Sequence, residues 1–343
     1  MTFDRHRMRV TRARSVPAVA VFAFLIPLVA AAQIPAAPAL LAELGLSPAE
    51  IAQVEAGQLV RHTVPPASER ELTAGLAFHV PLSPAELVKS TQQDLLDRVD
   101  PNMIAFGVVP APGGPADFAK LTLQPEAAQR AQAYTSAQPG GDLNLSSEEI
   151  AAFQKLGSGA SPAAVEAEVR NALLARVQAY RTKGLAGIAP YALAGGKTRS
   201  PAEELRTATL ASKKLEQYAP AAYHSLLSYP NGKPAGTQEI LRWSHFDAHG
   251  TPTIALTQVL LVPDGDAYIV AQRQFYASTG YNAEQAIAAF LPAKDGGTVV
   301  VYANRTSTDQ ITGFGGGTKR SLGSKVLSSQ LESMFEKARA KVR

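Results

Sequence analysis

The sequence predicts an α+β fold, a curved antiparallel sheet packed on a long C-terminal helix, with a mainly helical insertion at about 124–230. Three observations predict it. Alternating apolar segments joined by Asp-Gly and His-Gly turns fill the region after 237. A second strand pattern, Leu72–Val80, lies near the other end of the chain. An apolar stripe at helical spacing runs to the C-terminus.

Taken in order, residues 1–15 carry five arginines and one aspartate, and residues 16–31 are almost wholly apolar. Ala30-Ala31-Ala32 then offers small residues before Gln33. A basic head, a short apolar stretch and a small-residue site predict a secretory signal peptide over 1–32. The apolar run falls short of the ~20 residues of a membrane span, and Pro17 and Pro27 interrupt it. The protein is therefore expected to be exported, to the periplasm or beyond, with no stable span after signal removal. Residues 33–45 read as an Ala/Pro-rich, poorly ordered leader, and 46–343 as a single domain.

Composition narrows the functional classes. The full chain has 33 basic and 29 acidic residues, and removing 1–32 takes five and one of them, leaving 28 of each. A balanced mature chain lacks the basic footprint of a nucleic-acid binder. With no cysteine among 343 residues, disulfide scaffolds, thiolate zinc sites and cysteine nucleophiles are excluded.

Helix starts are marked by one device. Ser47, Ser83 and Ser200 each precede Pro-Ala-Glu, and Ser146 with Glu149 makes a fourth box. Serine accepts from the free amides, proline suits the first turn and glutamate reaches back. Strands are expected over Gly57–Val64 and Leu72–Val80, then a helix from Pro84 to about Arg98 and a strand over Met103–Val109. In the middle, Ser161-Pro162 opens a helix with Val165, Val169, Leu173 and Val177 on one side. A helix from Ser200 to near Tyr229 follows a loop over Gly184–Gly196. Strands Glu239–Ala248, Pro252–Val262 and Ala267–Ala277 come next, then a short helix or turn at Ala283–Phe290 and a strand at Thr298–Asn304. The last helix presents Leu322, Val326, Leu331, Met334, Phe335, Ala338 and Val342 as its stripe, the natural cover for the buried sheet face.

This order resembles the helix-grip architecture of START-like lipid-transfer and polyketide-cyclase domains. Several segments resemble an uncharacterised family of secreted bacterial proteins: Glu55 to Val60, Ala116 to Leu123, Tyr276-Ala277-Ser278, and Asn304-Arg305 through Asp309 to Gly313, Gly316 and Arg320. Where that family often has histidine, this chain has Thr279 and Gln258. The resemblance implies an apolar pocket between sheet and terminal helix, and puts histidine-dependent chemistry in doubt.

Candidate chemistry is sparse. Trp243, His245, Asp247 and His249 share one face of a strand, but positions 245 and 249 stand on the order of 13 Å apart, so no metal is expected. Arg305 and Asp309 read as an ion pair tying the last strand to the connection before the helix. Gly313 to Arg320 lacks the P-loop spacing and reads as a turn. No serine sits in a nucleophile elbow. The functional expectation is a non-enzymatic binder of an apolar or lipid-like small molecule, with Trp243, Tyr276 and Arg305 as its polar selectors and no cofactor. An envelope-associated structural or protein-interaction module is the alternative. A hydrolase or cyclase on the same scaffold ranks third.

Overall fold

The computed structural model describes residues 1–2, 34–248, 250–313 and 315–342. The signal-peptide expectation falls on residues outside that set, as do His249 and Phe314.

In chain order the helices are α1 (Ala37–Glu43), α2 (Pro48–Glu55), α3 (Pro84–Gln92), α4 (Leu95–Val99), α5 (Ala127–Thr135), α6 (Ser147–Leu156), α7 (Pro162–Lys183), α8 (Pro201–Leu210), α9 (Lys213–Tyr218), α10 (Pro220–Ser228) and α11 (Gly316–Lys341). The strands are β1 (Val60–Arg61), β2 (Glu71–Val80), β3 (Met103–Val108), β4 (Tyr191–Ala192), β5 (Thr198–Arg199), β6 (Gln238–Asp247), β7 (Pro252–Asp264), β8 (Ala267–Ala277), β9 (Ala283–Pro292) and β10 (Thr298–Ser307). Eight of them form one antiparallel sheet in the order β1-β2-β10-β9-β8-β7-β6-β3, and β4 and β5 form a small hairpin. Strand β2 from near the N-terminus lies beside β10, paired from Glu71↔Ser307 to Val80↔Thr298. The sheet is thus built from both ends of the chain, and it is open, with β1 and β3 as its edges.

Both faces of the sheet are buried. Alternate residues of a strand point to opposite sides. Leu76, Phe78, Val270, Phe290, Val300 and Tyr302 pack with α3 and with Phe335 of α11. Ala77, Ile269, Ala289, Leu291 and Val301 pack against α1, α2, α9 and α10. Further along that second face, Leu241, Trp243, Leu256, Phe275 and Tyr276 meet α5, α6, α7 and α8. The sequence assigned a buried face only to the terminal helix. The helical middle covers much of the other, and over β2 the cover is α2 and the His62 segment, so β2 lacks the wet side that strict alternation implies.

The caps form as expected. Ser47, Ser83 and Ser146 each make a full reciprocal box with Glu50, Glu86 and Glu149. Ser200 accepts from the Glu203 amide without the return bond.

Several expectations are corrected. The leader is helical over Ala37–Glu43, because Leu40 and Leu41 have an apolar sheet face to bury against. The first strand shrinks to Val60–Arg61. The helix after Pro84 breaks at Asp94, which is left-handed (φ 59°), and resumes as α4. The helix after Ser200 is three helices, and Gly184–Gly196 holds short 3-10 turns and β4. Ala283–Pro292 is a strand: its alanines favour helix in isolation, but it is paired on both sides, with β8 and β10, and pairing outweighs propensity. On α11, Phe335 and Ala338 are buried while Leu322 and Val326 are exposed. The nine-residue step from Leu322 to Leu331 turns the helix by about two and a half turns, so the two ends of the supposed stripe face opposite ways.

Candidate functional site

A cavity of about 440 Å³ lies on the second face of the sheet. Its floor is β8, β9 and β10, where Ile269, Ile287, Ala289, Val301 and Ala303 face it. The alanines leave the room that larger side chains would fill. Leu40 of α1, Leu44 just past its end and Leu215 of α9 form walls, and Pro65, Pro66 and Lys213 stand at the exposed rim with the half-buried Lys214.

Two polar side chains reach the cavity beside its floor, Arg305 from β10 and His62 from just past the end of β1. Arg305 of β10 is almost wholly buried and pairs with Glu71 of β2 at 2.7 Å. The same Nη1 donates to the Pro65 carbonyl at 2.9 Å, and Nη2 to the Ala211 carbonyl at 3.5 Å. Glu71 also accepts from the Ala67 amide at 2.5 Å. The pair therefore ties the β1–β2 connection and the α8–α9 joint to the sheet. His62 lies across Gly75, and its Nε2 meets the Tyr302 carbonyl at 3.0 Å. A Cβ at Gly75 would stand 2.4–2.6 Å from His62 atoms, so only glycine admits this approach. Burial pushes the His62 pKa down against the pull of neighbouring carbonyls.

The opposite face holds far less space. Beneath α11 the gap is about 70 Å³. Phe335 lines it, with ring centroids 4.9 Å from both Phe78 and Tyr302. Beside it, Glu284 accepts from Thr306 at 2.9 Å and from Gln274 at 3.4 Å. Burial raises the Glu284 pKa, with Thr306 and Asn304 opposing.

The three residues predicted as selectors do not share a site. Arg305 lines the cavity. Trp243 is fully buried, donating to the Asp117 carbonyl at 2.9 Å and stacked near Phe118. Tyr276 is buried under the Arg176 guanidinium, 4.2 Å from its ring centroid, and Arg176 pairs with Glu149 at 2.5 Å. Neither lines the cavity. A bulge opposite Leu256/Thr257 adds Phe275 to β8, which lets both Phe275 and Tyr276 join the core beneath the helical middle.

Arg305 and Asp309 are not partners. Asp309 lies past the end of β10 and takes Arg70 at 2.9 Å and Arg199 at 3.0 Å. Four positions after Arg305 the chain has left the strand for a 3-10 turn, so the spacing does not bring the two together. In the same cluster Glu204 is 3.7 Å from Arg199 and accepts from Asn282 at 3.3 Å. Burial raises its pKa to about 7, against Arg199 and with help from Asp309.

The His245 strand face has no room for a cation at its histidine. Arg130 Nη1 is 3.0 Å from His245 Nε2, and burial, then Arg130, push this histidine down to about 4. Asp247 accepts from the Gly250 amide at 2.5 Å and so closes the turn. Among the described residues no group of three or more His, Asp or Glu could hold a metal ion. Gln258, where the resembling family often has histidine, accepts from Tyr180 at 2.6 Å and donates to Glu239 at 2.7 Å.

Sequence reasoning missed Glu71, His62 and Lys213. One signal was present: a glycine in the middle of the apolar strand LTAGLAFHV marks a close approach of another group. No family model, curated protein or solved structure matches this chain.

Proposed function

We propose that this protein is an exported, non-enzymatic binder of an apolar, lipid-like small molecule, held in the cavity between α1, α9 and the floor of β8, β9 and β10. On this reading the sheet holds the terminal helix on one face, in the manner of START-like domains, and keeps its ligand on the other. The observation that carries the reading is the cavity: about 440 Å³, within the range of small-molecule sites, with an apolar floor and few polar groups. The much smaller gap beneath α11, about 70 Å³, supports placing the ligand away from the terminal helix.

The experiment is solvent extraction of protein purified without detergent, followed by mass spectrometry. The expected result is one apolar compound in near-stoichiometric amount, lost when Ala303 is changed to Phe. A preparation that yields none, and takes none up from a total lipid extract, would remove the proposal.

A further inference from the structure

We propose that the ligand is an apolar carboxylate, its head group held by the free edge of Arg305 and its hydrocarbon part on the alanine-rich floor. The inference rests on the cavity being a ligand site and names the class of molecule it takes.

The lining is charged in one sense only. Arg305, Lys213 and Lys214 line the cavity, and no aspartate or glutamate does. The carboxylates that pair with these cations, Glu71, Glu216 and Glu43, all lie outside the lining. Each cation is balanced by its carboxylate outside, so the lining offers cationic N–H donors rather than a net positive field, and donors of this kind suit a carboxylate better than an amine.

Arg305 also has donors to spare. A guanidinium carries five N–H groups. Nη1 uses both of its own, on Glu71 and the Pro65 carbonyl, and Nη2 uses one, on the Ala211 carbonyl. The Nε–H and one Nη2–H are left without an acceptor among the described residues. Nε and Nη2 are neighbouring nitrogens on one edge of the guanidinium, the edge that can receive both oxygens of a carboxylate. With its side chain 8% exposed, Arg305 meets little bulk water, and the cavity it lines is where a ligand acceptor can reach that edge. Glu71 and the two carbonyls fix the guanidinium in place, so little ordering remains when the ligand arrives. A neutral alcohol or ester would leave part of the fork unmet.

The probes are decanoic acid, decanol and methyl decanoate, titrated calorimetrically at pH 8 into wild-type protein and variants. The expected result is an acid bound at least about tenfold more tightly than either neutral probe, a difference of ~1.4 kcal/mol. Arg305→Lys keeps a cation opposite Glu71 but loses the fork, and the preference should collapse. Should Arg305→Lys fail to fold, the rim double variant K213Q/K214Q decides: the preference should narrow, since the rim then loses two cationic donors. Equal affinity for acid, alcohol and ester would overturn the carboxylate assignment and leave the cavity reading standing. An acid preference unchanged in the folded variant would overturn it too. Binding of all three probes that persists undiminished in Ala303→Phe would overturn the cavity reading itself, and this inference with it.

Discussion

Trp243→Ala is expected to lower the free energy of unfolding by about 3–5 kcal/mol, the range for removing a large buried aromatic side chain. Trp243 is 0% exposed, on β6 near the edge of the sheet. Its indole N–H satisfies the Asp117 carbonyl, and its ring stacks near Phe118, so the short helical turn Pro115–Phe118 depends on it. Opposite it on β3 is Gly107, where a Cβ would stand 2.8 Å from the indole nitrogen. The ring is therefore clamped between a strand that offers no side chain and a helical layer that offers a carbonyl. Urea denaturation measures the loss. Trp243→Phe should recover much of the packing but leave the carbonyl unpaired, at a cost of about 1–3 kcal/mol. Decanoic acid binding should persist in the folded fraction of Trp243→Phe, because Trp243 does not line the cavity. A variant of wild-type stability that had lost binding would return Trp243 to the role of selector.

Glu204→Gln is expected to reshape the dependence of stability on pH. Burial holds Glu204 near pKa 7 in the folded protein, above its ordinary 4.5. The folded state thus keeps this proton more tightly than the unfolded chain. The stability it contributes is full below about pH 4.5 and is lost as pH climbs through 7. Two to three pKa units correspond to ~3 kcal/mol, and the partial exposure of the carboxyl brings the expected effect toward 2 kcal/mol. His245 works in the opposite direction. Its folded pKa of about 4 lies below the ordinary 6.5, so its contribution is present above 6.5 and is lost as pH falls through 4. The two slopes oppose each other across the mildly acidic range. Removing the Glu204 titration should make stability rise more, or fall less, with pH between 4 and 7 than in wild type, with Glu284 still opposing the His245 slope, and should leave the variant more stable than wild type at pH 8. Denaturation midpoints taken from pH 4 to 8 test this. An unchanged profile would show that Glu204 is not held protonated.

How much of this was legible in the sequence depended on whether the signal was local. The serine caps and the turns around Gly250 and Gly265 act within a few residues, and the helices and hairpins they mark are present. The stripe Val165, Val169, Leu173, Val177 is a complete side of α7, and all four are buried. Strand β9 was misread because Glu-Gln-Ala-Ile-Ala-Ala is a helix-forming string. Only its pairing on both sides, with β8 before it and β10 after it, makes it a strand. The site was less visible still. Arg305 is legible as a site residue, but spacing points to Asp309 four residues on, whereas its partner is Glu71, 234 residues back. Trp243 and Tyr276 read as polar aromatic residues on a strand face, which is also the chemistry of a buried aromatic with one satisfied donor. The cavity arises from what the alanines of β9 and β10 do not fill, and a void has no sequence pattern of its own.

The most direct test of the central claim is crystallographic. Crystals grown with a terminally brominated decanoic acid locate the hydrocarbon end by anomalous scattering and the head group by ordinary density. The account predicts one bromine site in the space bounded by Leu40, Ile287 and Val301, with the carboxylate against Arg305. Bromine beneath the terminal helix beside Phe335, or a cavity closed over by its own walls with no bromine in the molecule, would contradict it.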